Sequence, residues 1–351
     1  MASAPEHVGD DSIPSGCVRI SVAIGTYNGA KTLGAALDAI TCQQHSCSYE
    51  VIVVDDGSTD DTPKIANRPG VRLIVLEKNQ GHGHALNVAL AEARGEILAT
   101  MDDDCVPPPT WIQGVSDAWE SLGPDVSMLG GAVLPLETDT LNRRYVRFRR
   151  PLAPQEACLD ERASLLARFA YVLRPPGELP DRRPVFSVAG ANMSMRVDAV
   201  RAVGGFPEVW GFGEEEACSR ALRTRFGEET VQFFPDLIMY HNYRPLVRDT
   251  LRRARAYGRS AGRDWVSRKG IPSIRPLPIL AVLAASTITL ISSPAAILAI
   301  LVAPLVLYRN WFEAIRTSGA VEPAVYPYIQ VVEEFVCNVG FVEGLIRAAR
   351  Q

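Results

Sequence analysis

The sequence predicts an α/β fold with a mostly parallel central sheet, followed by a C-terminal hydrophobic helical hairpin. Three observations carry that expectation. Short β-branched runs alternate with helical patterns from Val18 onward, one near-continuous apolar strand stops at three consecutive aspartates, and Leu277 to Tyr308 contains no charged residue.

The 351 residues allow one large domain plus an appendage, with a sizeable core. A net charge of -4 and 22% charged residues fit an ordinary globular chain, and they exclude disordered and collagen-like classes and disfavour nucleic acid as a partner. The seven cysteines are odd in number and show no CxxC spacing, which speaks against a disulfide framework and a structural zinc site. Residues 1–16 hold acidic and turn-forming residues without an apolar core, so they read as a disordered tail and not as a secretory signal.

The runs VRISVAI, YEVIVVDD and VRLIVLE read as strands, separated by helical patterns at about Ala30 to Gln44 and at DTPKIANR. A helix from His82 to Ala93 then leads into the strand EILAT and the acidic run Asp102 to Asp104. The arginines between Glu137 and Arg183 read as variable loops and a helix over the active face. After Val185 follow FSVAGANMSM, a GGF turn, an acidic run that opens a helix at Gly213 to Glu216, and the strand segment ending in IMYHNYRP.

Asp102, Asp103 and Asp104 are the sharpest chemical signal. Three crowded carboxylates repel one another unless a cation neutralises them, and hard oxygen ligands suit Mg²⁺ or Mn²⁺ bridging to a substrate diphosphate. A solvated acidic turn would look the same in isolation. GTYNGA at Gly25, VVDDGSTDD at Val53 and NQGHGHALN at Asn79, each at an expected strand end, supply the context.

Together these segments resemble glycosyltransferase family 2, whose members have the GT-A fold. The resemblance implies a metal-dependent, inverting transferase acting on a nucleotide sugar of the UDP or GDP type. It implies donor binding by Thr26, Tyr27, Asn28, Asp55, Asp56, Gly81, Asn87, Asp102 and Asp103, and a metal held by Asp104 and Asp102 with His241. Gly190, Ala191 and Asn192 match the segment that borders the acceptor. The catalytic base is expected in Glu214, Glu215 and Glu216, where the family carries Glu-Asp; Glu215 is favoured, and the register stays open. His82 and His84 depart from the family pattern and could contact phosphate or be solvent-exposed loop histidines. Arg244 and the basic stretch from Arg252 to Ser260 could face the leaving diphosphate or simply be solvated.

The expected organisation is a GT-A domain over 17–270, with a donor half (17–135) and an acceptor half (136–270), and a membrane-associated helical region over 271–351. Ser292, Ser293 and Pro294 split the apolar stretch into two pieces, each shorter than the about 20 residues of a perpendicular span. Flanking arginines place both ends in the cytoplasm by the positive-inside rule, with Tyr308 and Trp311 at the interface. The acceptor is then expected to be lipid-linked or a surface glycan. A sugar nucleotidyltransferase would carry a glycine-rich basic loop after the first strand, whereas GTYNGA has only Lys31 beside it. A catalytically inactive, membrane-tethered scaffold would have no use for the intact acids.

Overall fold

The computed structural model describes residues 6–8, 19–154, 181–207, 213–268, 274–275, 302–308 and 310–350. Parallel strands need apolar side chains on both faces because helices cover both. Strands β2 (Ile20–Thr26) and β3 (Tyr49–Asp55) satisfy this: every residue of β2 and all but the first of β3 are buried. With β1 (Glu6–Val8), β4 (Val71–Val75), β5 (Ile97–Thr100), β6 (Cys105–Val106), β7 (Met128–Pro135), β8 (Arg183–Pro184), β9 (Met193–Arg196) and β10 (Val231–His241) they form one sheet in the order β1-β4-β3-β2-β5-β9-β7-β10-β6, with β8 pairing β10. β1 pairs antiparallel with β4, so three residues of the expected tail extend the sheet.

β4, β3, β2 and β5 are mutually parallel. β9 runs against both β5 and β7, and β7 is parallel to β10. Two reversals restore the direction, so β10 points the same way as β5. The C-terminal ends of β2, β3, β5 and β10 therefore share one edge of the sheet, the side where open α/β sheets bind ligands.

Helices follow the apolar spacing. α1 (Leu33–Thr41) buries Leu33, Ala36, Leu37 and Ile40, an i, i+3, i+4, i+7 stripe, and each Leu or Ile contributes about 1.5–3 kcal/mol by leaving water. α2 (Thr62–Ala66) is one turn, and α3 (His82–Glu92) packs Ala85, Leu86, Ala89 and Leu90 inward. α4 (Trp111–Glu120) buries Trp111, Val115 and Trp119, and short α6 (Val197–Ala202) buries Val197 and Val200. α5 (Leu141–Arg149) starts where the Thr140 side chain accepts the Arg143 amide. Its arginines are largely engaged within the protein: Arg143 meets Asp139 at 2.8 Å, and Arg144 bonds Glu322 at 2.7 Å. α7 (Glu214–Phe226) opens on the acidic run as expected.

The last three helices are α8 (Val247–Arg268), α9 (Trp311–Ser318) and α10 (Tyr326–Ala348). α8 and α10 meet backbone to backbone through reciprocal glycines. A Cβ at Gly258 would overlap the Cys337 carbonyl oxygen, one at Gly262 that of Phe341, one at Gly340 that of Arg255 and one at Gly344 that of Arg259. Gly340→Ala gains up to about 1 kcal/mol of helix propensity, but overpacking costs about 1–3 kcal/mol. We expect a net loss of stability, read as a lower denaturant midpoint; an unchanged midpoint would show that the helices have room to spare.

Most of the expected hydrophobic hairpin (residues 276–301) lies outside the described residues, and among these no helix is long and apolar enough to cross a membrane. Its described end corrects one expectation. Tyr308 is only 2% exposed and donates its hydroxyl to buried Glu334 at 2.7 Å, so it sits inside the protein and not at an interface.

Candidate functional site

Three buried side-chain atoms lack any hydrogen-bond partner along or beside the shared strand-end edge: Asp55 Oδ2, Glu214 Oε2 and His241 Nδ1. Buried polar groups are normally satisfied, so such orphans indicate where a ligand supplies the partner.

At the centre, Asp102, Asp104, Cys105 and His241 bring one potential ligand atom each within 4.8 Å of one another. The chain forces this meeting. β5 ends at Thr100, β6 turns back beside β10 so that Cys105 pairs with His241, and the Asn242 amide donates to the Asp104 carbonyl at 2.8 Å. His241 Nε2 stands 3.3 Å from Asp104 and 3.9 Å from Asp102, and its ring stacks on Tyr243 at 4.3 Å. Burial holds His241 down at about 4, so it is neutral and able to ligate. Burial, and then the charge of Asp102, raise Asp104 to about 7. Two hard carboxylates and a neutral imidazole fit Mg²⁺ or Mn²⁺, whose charge would relieve that repulsion.

Asp103 does not join them. Burial raises it to about 6, and it accepts a hydrogen bond from Thr26, with Gly29 leaving just enough space. The expected donor segment divides in the same manner. Tyr27 is 48% exposed at the edge, and Asn28 adopts φ 55° while its side chain accepts the Thr59 amide at 2.9 Å. Asp55 bonds Ser58 through Oδ1 only, leaving Oδ2 open, and burial raises its pKa. Asp56, by contrast, spends both oxygens on the amides of Gln80 and Gly81, each at 2.8 Å. Asn87 accepts from the Phe206 amide and donates to its carbonyl, both at 2.8 Å. These two side chains lock loops together. Gly81, at φ 99°, supplies the left-handed entry to α3.

On the acceptor side Asn192 is fully buried: it accepts from Trp111 at 2.9 Å and donates to Ala132 and Leu237 at 3.0 and 2.8 Å. Ala191 is buried as well, and the Gly190 carbonyl accepts from Thr100. Glu214 is buried 3.9 Å from His82 Nε2, whose ring lies against Gly25, so this histidine bridges the donor edge and α7. Burial and then Glu214 raise Glu215 to about 8, with Asp102 contributing. Glu216 turns aside to Arg220 at 2.7 Å.

Sequence reasoning missed Cys105 and Tyr243 and left the basic stretch without a direction. Arg253 lies 4.8 Å above the Tyr243 ring, and its charge reaches Asp104, as does that of Arg244. Tyr257, one turn later on the same face of α8, is within electrostatic reach of Glu215, Asp102 and Glu214.

The raised carboxyls carry a pH consequence. The folded metal-free chain keeps protons on Asp104 and Glu215 that the unfolded chain has lost, so stability falls as pH rises towards 8. His241 acts in the opposite sense, but only below its unfolded value of 6.5. Between pH 6.5 and pH 8 the melting temperature should therefore fall, and Glu215→Gln should flatten the slope. An equally steep slope in that variant would refute the assignment.

The profile described as Glycosyl transferase family 2 matches residues 21–204, just over half the chain. The chain belongs to that family. The family 2 domain is 36% identical over 121 residues to glycosyltransferase AglE of Haloferax volcanii, covering 32% of this chain and 39% of the relative. It is 37% identical over 100 residues to mouse dolichyl-phosphate beta-glucosyltransferase (24% of this chain, 31% of the relative). With the Rhizobium meliloti succinoglycan biosynthesis protein ExoO it shares 30% identity over 141 residues (39% of this chain, 38% of the relative). The matches thus span under half the length of these curated relatives. Among solved structures, a Pyrobaculum calidifontis mannosyltransferase in complex with GDP-Man and Mn²⁺ has the same fold, with TM-score 0.55 at 19% identity, covering 94% of this chain and 88% of that one. The expected GT-A architecture is thereby supported.

Proposed function

We propose that this protein is an inverting glycosyltransferase that moves a sugar from a UDP or GDP sugar to a lipid-linked or glycan acceptor. The observation that carries the reading is the gathering of Asp102, Asp104, His241, Asp55 and Glu215 around one strand-end edge, with buried polar atoms left for a ligand to satisfy. Asp104 and His241, with Asp102, would hold Mg²⁺ or Mn²⁺, which when bound neutralises charge on the leaving diphosphate. Asp55 Oδ2 accepts from the nucleotide base or ribose, and the Tyr27 ring packs on the base. Arg244 and Arg253 add positive charge beside Asp104. Glu215 takes the proton of the acceptor hydroxyl as its oxygen attacks the anomeric carbon and the nucleoside diphosphate departs, inverting that centre.

A lipid-linked acceptor is supported by the name of the mouse relative, and by the uncharged stretch 277–308, which we assign to membrane association with the catalytic domain on the cytoplasmic side. The first test is thermal stabilisation by UDP and by GDP with and without Mn²⁺. At a hundredfold excess over Kd, binding stabilises by about 2.7 kcal/mol. Failure of every nucleoside diphosphate to shift the melting temperature in a metal-dependent way would sink the reading.

A further inference from the structure

Cys105 has no place in the proposed reaction, yet its sulfur belongs to the same cluster as Asp102, Asp104 and His241. It is fully buried, and the backbone fixes it: Cys105 and His241 are directly opposed across the β6–β10 pair. His241 is 8% exposed and turns its Nε2 towards Asp104 at 3.3 Å and Asp102 at 3.9 Å. The imidazole faces both carboxylates, and Asp104 also accepts from its own backbone amide.

Donor chemistry separates two classes of ion here. Mg²⁺ and Mn²⁺ are hard, favour oxygen and six-fold coordination, and have little use for a thiol. Zn²⁺ accepts sulfur, nitrogen and carboxylate oxygen together and closes readily at four ligands in a tetrahedron. An edge of 4.8 Å or less between donor atoms needs only a modest contraction to enclose such an ion.

We propose that Asp102, Asp104, Cys105 and His241 form a closed four-ligand site that captures Zn²⁺ through the Cys105 sulfur, in competition with the open arrangement that Mg²⁺ or Mn²⁺ requires. Capture forms a zinc–sulfur bond and releases the thiol proton to solvent. A closed tetrahedron leaves no position for the diphosphate, so Zn²⁺ inhibits the enzyme. That inhibitory consequence rests on the function proposed above; the binding itself does not.

The test uses the full chain stripped of metal and titrated with Co²⁺, a spectroscopic stand-in for Zn²⁺. Tetrahedral cobalt bound to sulfur gives intense visible bands and a near-ultraviolet charge-transfer band. Both are expected in the wild type and should be removed by one equivalent of Zn²⁺. Cys105→Ser should lose the charge-transfer band and at least about 10-fold in Zn²⁺ affinity, while Cys218→Ser, at a second fully buried thiol among the described residues, should keep both. Cobalt bound to the wild type without that band overturns the proposal whatever the variants do, and so does unchanged zinc affinity in a folded Cys105→Ser protein. Absence of nucleotide stabilisation by Mn²⁺ would instead count against the transferase reading and leave the cobalt result standing.

Discussion

Replacing Asp104 with alanine should abolish turnover, by at least about 10³-fold, and remove the metal-dependent part of nucleotide binding at the same time. Asp104 is the carboxylate closest to His241, at 3.3 Å, and burial, then the charge of Asp102, raise it to about 7. Without it the cluster keeps Asp102, Cys105 and His241, and a single carboxylate beside an imidazole, 3.9 Å apart, with a thiol of little use to a hard ion, is too few ligands to hold Mg²⁺ or Mn²⁺ against water. The measurement is a pair: product formation from a panel of nucleotide sugars, and the thermal shift with UDP or GDP plus Mn²⁺. Retention of the Mn²⁺-dependent shift in Asp104→Ala would place the metal elsewhere. Asp103→Asn is the informative contrast. Its side chain accepts from Thr26 and lies outside the cluster of Asp102, Asp104, Cys105 and His241, so it should alter stability more than metal dependence.

The second large effect belongs to Glu215. Glu215→Gln keeps the volume and loses the basic oxygen, so the turnover number should drop about 10²–10⁴-fold while nucleotide stabilisation persists. The separation matters, because a residue needed only for binding would move both. Glu214→Gln should behave differently: Glu214 is buried against His82, and the change should perturb folding or donor affinity before chemistry. Were Glu214→Gln to abolish turnover with binding intact while Glu215→Gln did not, the base would be one residue earlier. The stereochemical part of the proposal is checked by following the anomeric configuration of the first product by NMR.

Strand identity was readable because β2, β3 and β5 are buried on both faces and therefore mostly apolar, with Ser21 and Glu50 the buried polar exceptions inside them. The acids at their ends could be read for the same reason: a carboxylate that terminates an apolar strand must lie on the ligand edge. Destination was the hidden part. Asp56, Asn87 and Asn192, expected at the donor and acceptor sides, each also bond a partner far away in the chain: the Gln80 amide, the Phe206 backbone and the Trp111 indole. Nothing local distinguishes a side chain that meets a ligand from one that meets another loop. Tyr243 was within reach, since residues two apart next to a strand share a side, and an aromatic ring two places after His241 is positioned to stack on it. Cys105 gave no spacing signal, because its partner is reached across strands and not along the chain. The basic stretch that became α8 was recognisable as helical, but which face turned inward depended on α10, some 80 residues later.

The glycine seam between α8 and α10 extends its influence to chemistry. On α8 the residues that touch α10 lie on the face opposite Arg253 and Tyr257, so one helix is a wall with a structural side and a reactive side. At the four glycines the contact is main chain against main chain, with the Arg255–Glu343 ion pair and the Trp265–Phe341 ring pair beside it, so little slack is left at the seam. A displacement of α10, whether by a docking partner, a tether or a lost C-terminus, would pass through rigidly and re-aim the guanidinium and phenol over the acids. Under the proposed reaction, α10 would then set where Arg253 and Tyr257 stand relative to the acids.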